Sequence, residues 1–134
     1  SCRYFTHSTE IVLWAAKNEK SKHHFDYQLM KRINQGKQMR NVWEISAPSA
    51  EEKKFGKHPT QKPVELLKRI IQASTREGDL VLDPFCGSST TGVAAVSLNR
   101  KYVGIDLEGD YLMTSKKRLE EASTKKEAKL FAVK

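Results

Sequence analysis

The short apolar run at residues 80–82, Leu-Val-Leu, is followed at once by Asp83, a loop rich in glycine and serine, and a helix-like stretch at 90–98. This succession constrains the fold more than any other part of the chain. A strand that ends in an acidic residue and turns directly into a helix surrounds one crevice with free backbone N–H groups and a carboxylate. The crevice lies at the carboxyl end of the strand, where open α/β sheets bind ligands.

The segments around this loop alternate between helix and strand patterns. Residues 63–74 predict an amphipathic helix with Pro63 in its first turn, where a missing N–H has no cost. Residues 80–82 predict a buried strand of the parallel kind, residues 102–105 a second strand, and residues 111–122 a charged helix. Strands that alternate with helices predict a parallel α/β sheet.

The first part of the chain is harder to assign. Residues 3–7 and 10–16 are rich in β-forming residues, and we expect two short strands or one bent strand. Residues 17–40 are polar and basic, and predict a solvent-facing insert with one short helix in 26–33. The alternation at 41–45 indicates another strand, and 47–57 a loop.

Composition limits the function classes. The chain has 24 Lys and Arg against 16 Asp and Glu, a net charge of +8, which favours a polyanionic partner such as nucleic acid but also occurs for solubility alone. Cys2 and Cys86 lie far apart, which indicates neither a disulfide framework nor a zinc site. We expect a soluble, cytoplasmic protein with no metal and no membrane partner.

The glycine loop can be compared with known phosphate-binding loops. Gly87 and Gly92 have P-loop spacing, but Val93 and Ala94 stand where the Lys and Ser/Thr would be. A dinucleotide fingerprint needs a third glycine. Asp106 ends the second strand 23 residues after Asp83, where an acidic residue can bind ribose hydroxyls or simply cap a turn. A nucleoside cofactor without a pyrophosphate remains, and S-adenosylmethionine is the natural candidate.

Three motifs then occur in order: His58-Pro59-Thr60-Gln61-Lys62-Pro63, the loop Asp83-Pro84-Phe85-Cys86-Gly87-Ser88-Ser89-Thr90-Thr91, and Tyr102-Val103-Gly104-Ile105-Asp106. This succession resembles motifs X, I and II of the β class of S-adenosylmethionine-dependent DNA amino-methyltransferases, which modify adenine N6 or cytosine N4. The stretch 5–17 is similar to motif VIII. The resemblance implies the C-terminal portion of such an enzyme, with a Rossmann-like α/β fold whose parallel-rich sheet is incomplete and flanked by helices.

The resemblance also implies roles and boundaries. Phe85 should pack on the cofactor, the loop should hold its methionine end, and Asp106 its ribose. The cofactor-binding residues implied are Thr60, Gln61, Lys62, Asp83, Phe85, Gly87, Ser88, Ser89, Thr90, Thr91 and Asp106. Residues 1–17 would form the motif VIII region, 18–57 a target-recognition insert and loop, 58–124 the cofactor-binding unit, and 125–134 a tail, all in one domain.

Double-stranded DNA is the implied partner, and the basic residues in or beside the recognition insert are its candidate contacts. Any one of them could equally be a solvated surface charge. The candidates are Lys22, His23, Lys31, Arg32, Lys37, Arg40, Lys53, Lys54 and Lys57. Trp43 is a further residue that could border the cofactor pocket or belong to the core.

Two departures from the family pattern matter. The family has glycine where this chain has Ser89, so Ser89 either adopts a strained positive φ or keeps a negative φ as a helix N-cap. The catalytic Asp/Asn/Ser-Pro-Pro-Tyr/Phe/Trp motif (DPPY-type) is absent from the sequence, and the Asp83-Pro84 step already belongs to the cofactor loop. We therefore expect the chain alone to be inactive, with no catalytic residue of its own.

Several explanations of this absence stay open. The chain could be a fragment of a larger enzyme, a split-gene product that associates with the DPPY-bearing segment in cis or in trans, or a proteolysed piece. Within the enzyme class, adenine N6 is preferred over cytosine N4, and methylation of RNA is a further alternative. The competing class is a non-enzymatic nucleic-acid or protein-binding module that retains a degenerate methyltransferase fold.

Overall fold

A computed structural model describes residues 3, 5, 8–56 and 58–131. The elements follow one another as α1 (Tyr27–Ile33), a 3₁₀ turn (Glu51–Lys53), α2 (Val64–Ser74), β1 (Leu80–Asp83), α3 (Thr90–Ser97), β2 (Lys101–Gly104) and α4 (Gly109–Phe131). The alternation from α2 to α4 confirms the predicted α/β order. The helix predicted in 26–33 is also present, and Asp26 caps it by accepting the Leu29 N–H at 2.9 Å.

The sheet consists of two parallel strands in the described part of the chain, with Leu80 beside Lys101 and Asp83 beside Gly104. Both strands therefore end at the same edge, and their carboxyl ends lead into the 84–89 loop and Asp106. Parallel pairing confirms the fold class, an incomplete Rossmann-like sheet flanked by helices.

The core lies between α2, α3 and one face of the sheet. Ile71, Ala94 and Ala95 are buried together, and Val81 and Tyr102 pack against them from the two strands. Small residues let α3 approach the sheet closely, and a Cβ on Gly92 would overlap the Tyr102 ring. This close packing fixes the start of α3 relative to the strand ends.

The other face of the sheet is uncovered, which corrects the prediction of a buried strand at 80–82. Leu80 and Leu82 are 62% and 60% exposed, and Val103 and Ile105 are also exposed. A parallel strand is buried on both faces only when a second layer covers it. The described residues supply a layer on one side.

The strands predicted at 10–16 and 41–45 are wrong. Both segments lack regular secondary structure, and Leu13 is 87% exposed and Val42 80% exposed. Of residues 3–7, Arg3 and Phe5 are described and neither is in a strand, whereas the other three lie outside the described residues. A β-rich segment becomes a strand only when a neighbour pairs with its backbone, and no described segment does so here.

Candidate functional site

The loop between β1 and α3 is a tight turn held by its own backbone. The Asp83 carboxylate accepts the Phe85 N–H at 3.1 Å, and the Ser89 N–H donates to the Cys86 carbonyl at 2.7 Å. The Cys86 N–H donates to the Ile105 carbonyl at 2.9 Å, which continues the contact between the two strands beyond their ends. The loop is therefore attached to the segment that carries Asp106.

Asp106 fixes the loop from the second strand. Its Oδ2 accepts the Gly87 N–H at 2.7 Å, and its Oδ1 accepts the Glu108 N–H at 3.0 Å. These two N–H groups, that of Glu108 first, hold the pKa of the Asp106 carboxyl below its usual range. Each carboxylate oxygen keeps a second acceptor position, so the ionised side chain can still accept hydrogen bonds from a ligand.

Ser89 adopts the left-handed conformation, with φ 54° and ψ 45°. Of the two alternatives, the positive φ is therefore correct and the N-cap hydrogen bond is wrong, because the Ser89 side chain caps no N–H of α3. The hydroxyl instead lies 3.2 Å from the Tyr102 hydroxyl, and Ser89 is only 1% exposed. Burial raises the pKa of Tyr102 well above its ordinary value, so this pair is a neutral hydrogen bond.

The 58–63 segment contacts the loop through two side chains. Gln61 accepts a hydrogen bond from the Ser88 hydroxyl at 3.3 Å and donates to the Glu52 carbonyl at 2.9 Å. His58 lies over Gly87, where a Cβ would come within 2.9 Å of its Nε2, and its ring stands 4.3 Å from that of Tyr111. Gly87 has φ +50°, so both the backbone and the close ring require glycine.

Two other predicted residues of this segment make their polar contacts outside the loop. Thr60 is exposed, and its N–H donates to His58 Nδ1 at 3.3 Å. Lys62 forms an exposed ion pair with Glu10 at 2.6 Å. Helix α2 begins at Val64, so Pro63 is its N-cap rather than a first-turn residue, and the Glu52 carboxylate accepts the Val64 N–H at 3.1 Å.

Helix α4 contributes two residues that the sequence patterns did not indicate. Ser115 donates to the Gly87 carbonyl at 2.7 Å, and Arg118 donates to the Ser88 carbonyl at 2.5 Å. Both side chains are buried. The helical period of α4 places residues 115 and 118 on one face, but a charged amphipathic helix carries no local sign that this face meets a loop.

Several groups at this edge remain available to a ligand. The Phe85 side chain is 89% exposed beside the turn. Helix α3 has no side-chain cap. The first N–H groups after Ser89, those of Thr90 and Thr91, therefore have no hydrogen-bond partner within the helix. Among the described residues no acceptor meets the Ser88 N–H, although Ser88 is 3% exposed. An apolar ring, free N–H groups and a carboxylate suit a nucleoside with an anionic end.

Two clefts are present in other parts of the described structure. A cleft of about 560 Å³ opens at the opposite end of the strands, between residues near Asp26, Thr75 and Arg100. A smaller one of about 130 Å³ lies behind the loop, beside Arg118 and Glu121. We assign the candidate site to the strand ends because hydrogen-bonding groups converge there, whereas the larger cleft is open and Arg100 is already paired with Thr75.

The basic candidates for nucleic-acid contact do not form one cluster. Lys22, Lys31 and Lys37 are exposed in the insert around α1, whose first residues pack at the end of α2 away from the loop. Lys54 lies nearer the loop but is paired with Glu51 and Glu121. His23 stacks edge-on against Trp14.

The remaining candidates are placed as follows. Arg32 and Arg40 are exposed in the same insert, Lys53 is half-buried in the 3₁₀ turn, and Lys57 lies outside the described residues. Trp43 contacts Arg69 of α2 rather than the loop, with the guanidinium 5.1 Å from its ring centre.

The described residues contain neither a metal-binding group nor a membrane-spanning helix. No three His, Cys, Asp or Glu side chains in that part of the chain are grouped as a metal site would require. None of the helices described there has the length and apolar character needed to cross a bilayer.

The chain is similar to known proteins over most of its length. Type II methyltransferase M2.LlaDCHI of Lactococcus lactis subsp. cremoris is 59% identical over 125 residues, which is 92% of this chain and 46% of the relative. The chain thus spans about half the length of that curated relative. A crystal structure of an M1.HpyAVI-SAM complex is 37% identical, with a TM-score of 0.57 over 75% of this chain and 45% of that one.

A second solved structure is also similar to this chain. The cytosine-N4-specific PvuII DNA methyltransferase matches with 27% identity and a TM-score of 0.61, over 77% of this chain and 40% of that one. The family profile N6_N4_Mtase, described as DNA methylase, matches residues 1–117. The chain therefore belongs to the DNA methylase family.

Proposed function

We propose that this chain is the cofactor-binding and DNA-recognition part of a site-specific Type II DNA methyltransferase. The enzyme would transfer a methyl group from S-adenosylmethionine to an exocyclic amino group of DNA in the cytoplasm. The observation that carries the proposal is the Asp106–Gly87 hydrogen bond at 2.7 Å, which joins the acidic end of one strand to the glycine loop of the other. We also propose the segment boundaries predicted from the sequence: the motif VIII region at 1–17, the target-recognition insert and loop at 18–57, the cofactor-binding unit at 58–124 and the tail at 125–134.

The cofactor fits the groups present at the strand ends. The exposed Phe85 ring would cover its adenine, and the free acceptor positions of Asp106 would receive the ribose hydroxyls. The free Ser88 N–H and the uncapped start of α3 at Thr90 and Thr91 would receive its carboxylate. Asp83 and Ser89 would shape the turn. When bound, S-adenosylmethionine supplies an electrophilic methyl group.

The 58–63 segment would close the other side of the same site. Gln61 already reaches Ser88, and the Thr60 and Lys62 side chains precede the start of α2. The ion pair between Lys62 and Glu10 is exposed at both ends, so it is weak enough to open when a ligand carboxylate competes for the ammonium.

The acceptor base must be held by residues that this sequence lacks. No DPPY-type motif occurs in it, so a segment bearing that motif, joined in cis or associated in trans, would receive the amino group. The apolar side chains of Leu80, Leu82, Val103 and Ile105 on the uncovered sheet face support association with further structure. The chain alone would then be inactive. We prefer adenine N6 to cytosine N4.

The exposed basic residues of the insert, Lys22, Lys31, Arg32, Lys37 and Arg40, would contact DNA phosphates together with His23, Lys53, Lys54 and Lys57. Phosphate contacts release counterions, so binding of the assembled enzyme should weaken steeply as salt rises. Binding that does not change with salt would contradict this part of the proposal.

The test is to express the complete reading frame that contains this sequence and measure transfer of a labelled methyl group into DNA. Nucleoside analysis of the product then distinguishes N6-methyladenine from N4-methylcytosine. Transfer to RNA but not to DNA would redirect the proposal. A reading frame that bears the DPPY-type motif, or that is assayed together with a partner chain bearing it, and still transfers no methyl group to DNA or RNA would overturn it.

One observation favours a second function. Ser89 is buried and has a left-handed backbone at a position where the resemblance implies glycine, and the strain of a side chain there would weaken a cofactor-binding loop. The chain would then be a binding module that retains the fold without the activity. Calorimetry of this chain with S-adenosylmethionine distinguishes the two, because the module should bind DNA or protein but not the cofactor.

A further inference from the structure

Helix α4 contacts the loop between β1 and α3 through two buried side chains. Ser115 is 4% exposed and donates to the Gly87 carbonyl at 2.7 Å. Arg118 is 5% exposed and donates to the Ser88 carbonyl at 2.5 Å. Two consecutive carbonyl groups of the loop are therefore held by one helix face.

Arg118 makes several hydrogen bonds to this loop and to the start of α3. The same Nη1 that meets the Ser88 carbonyl also lies 2.8 Å from the Ser88 hydroxyl and 3.1 Å from the Thr90 hydroxyl. Burial lowers the pKa of Arg118, while the negative charges of Glu52 and Glu121 act in the opposite direction. A guanidinium stays protonated in proteins, so a buried cation is held here by neutral oxygens of the loop.

These contacts decide where the loop's N–H groups point. In a trans peptide the N–H lies opposite the carbonyl of the same unit. Because Ser115 draws the Gly87 carbonyl toward α4, the Ser88 N–H is directed away from α4, and no described residue accepts it. If α4 released the carbonyls, this peptide unit could rotate and the N–H would lose its fixed direction.

We propose that Arg118 and Ser115 are positioning residues for cofactor binding, which orient the loop so that the Ser88 N–H meets the carboxylate end of S-adenosylmethionine. Neither residue touches the cofactor itself. This inference rests on the proposed function, and it assigns to α4 a part in cofactor affinity rather than in stability alone.

The experiment uses the protein expressed from the complete reading frame. Arg118→Lys keeps the positive charge but loses the planar guanidinium group with its several N–H donors, and Ser115→Ala removes one hydroxyl. Lys117→Met is the matched control, because Lys117 is an exposed neighbour on the same helix. Calorimetry gives Kd for S-adenosylmethionine, thermal unfolding without cofactor gives Tm, and kinetics give KM for cofactor and for DNA separately.

Both α4 variants, Arg118→Lys and Ser115→Ala, should raise Kd and KM for S-adenosylmethionine about tenfold, the order expected when a charge-assisted or buried hydrogen bond is lost. KM for DNA should stay unchanged, and the Lys117 variant should match the wild type. Variants that lower Tm but bind the cofactor as the wild type does would overturn the assignment. If Arg118→Lys fails to fold, Ser115→Ala decides alone.

Failure of the proposed function gives a different result. A wild-type protein that binds no S-adenosylmethionine would overturn the proposed function and this assignment with it. A wild-type protein that binds it while both variants bind equally well would overturn only the role of α4.

Discussion

Substitution at Ser89 tests how much the left-handed backbone of the loop costs. Ser89→Ala and Ser89→Gly both remove the hydroxyl that lies 3.2 Å from the Tyr102 hydroxyl, a loss of about 1 kcal/mol. They differ only in the Cβ, which at φ 54° costs about 1 kcal/mol or more relative to glycine. We therefore expect Ser89→Ala to be about 1 kcal/mol less stable than Ser89→Gly, and Ser89→Gly to be close to the wild type.

Urea unfolding followed by circular dichroism measures this difference. The same pair of substitutions at Ser46, which is exposed and does not have a positive φ, is the matched control. At Ser46 the glycine variant should be the less stable of the two, because glycine gives the unfolded chain more conformational entropy than alanine does. Equal stability of the two Ser89 variants, or a more stable alanine variant, would refute the claim that the loop stores backbone strain at this position.

Four further predictions follow from the geometry. Gly87→Ala should destabilise the protein by about 1–3 kcal/mol, because the new Cβ would meet His58 and the φ of +50° is unfavourable for alanine; urea unfolding measures it. Ile71→Ala should cost about 2–5 kcal/mol, since Ile71 is 3% exposed in the core, whereas Val42→Ala, at an exposed site, should cost little. Asp106→Asn should weaken S-adenosylmethionine binding about tenfold in calorimetry, because the amide is a poorer acceptor for the ribose. The free energy of unfolding should fall as pH rises above about 10, the ordinary tyrosine pKa, because folding raises the pKa of Tyr102, and Tyr102→Phe should reduce this alkaline loss.

Local patterns were sufficient for the elements that pack on one another within the chain. The apolar period of residues 64–74 and the short apolar runs at β1 and β2 match the structure, because these elements pack on one another and on α3 within residues 64–104. The segments at 10–16 and 41–45 have equally strong β patterns but no paired neighbour in the described part of the chain. A pattern gives a preference for strand, and pairing decides whether it forms.

Some residues of the candidate site could be predicted from the sequence, and others could not. The sequence placed Asp83 and Asp106 at the strand ends and Gly87 in the loop between them, and the structure joins Asp106 to Gly87 by a hydrogen bond. Their roles toward a cofactor stay predictions. Arg118 and Ser115 could not be predicted, since they act through contacts with residues 28 or 30 positions away. The conformation of Ser89 was also undecided from the sequence, because both of its alternatives are chemically reasonable and the choice depends on contacts with distant residues such as Tyr102.

The attachment of the loop at several distant points has a consequence for its motions. The amide hydrogens of Cys86, Gly87 and Ser89 all donate to protein acceptors, on Ile105, Asp106 and Cys86. Exchange of the Cys86 and Gly87 hydrogens with solvent then requires the loop to part from the segment after β2, whereas exchange of the Ser89 hydrogen requires the turn itself to open. The hydrogen bonds from α4 to the Gly87 and Ser88 carbonyls oppose both openings. In deuterium oxide this turn should retain its hydrogens as long as the interior of α3 does, although it has no regular secondary structure. Its exchange rate would report the docking of α4 directly.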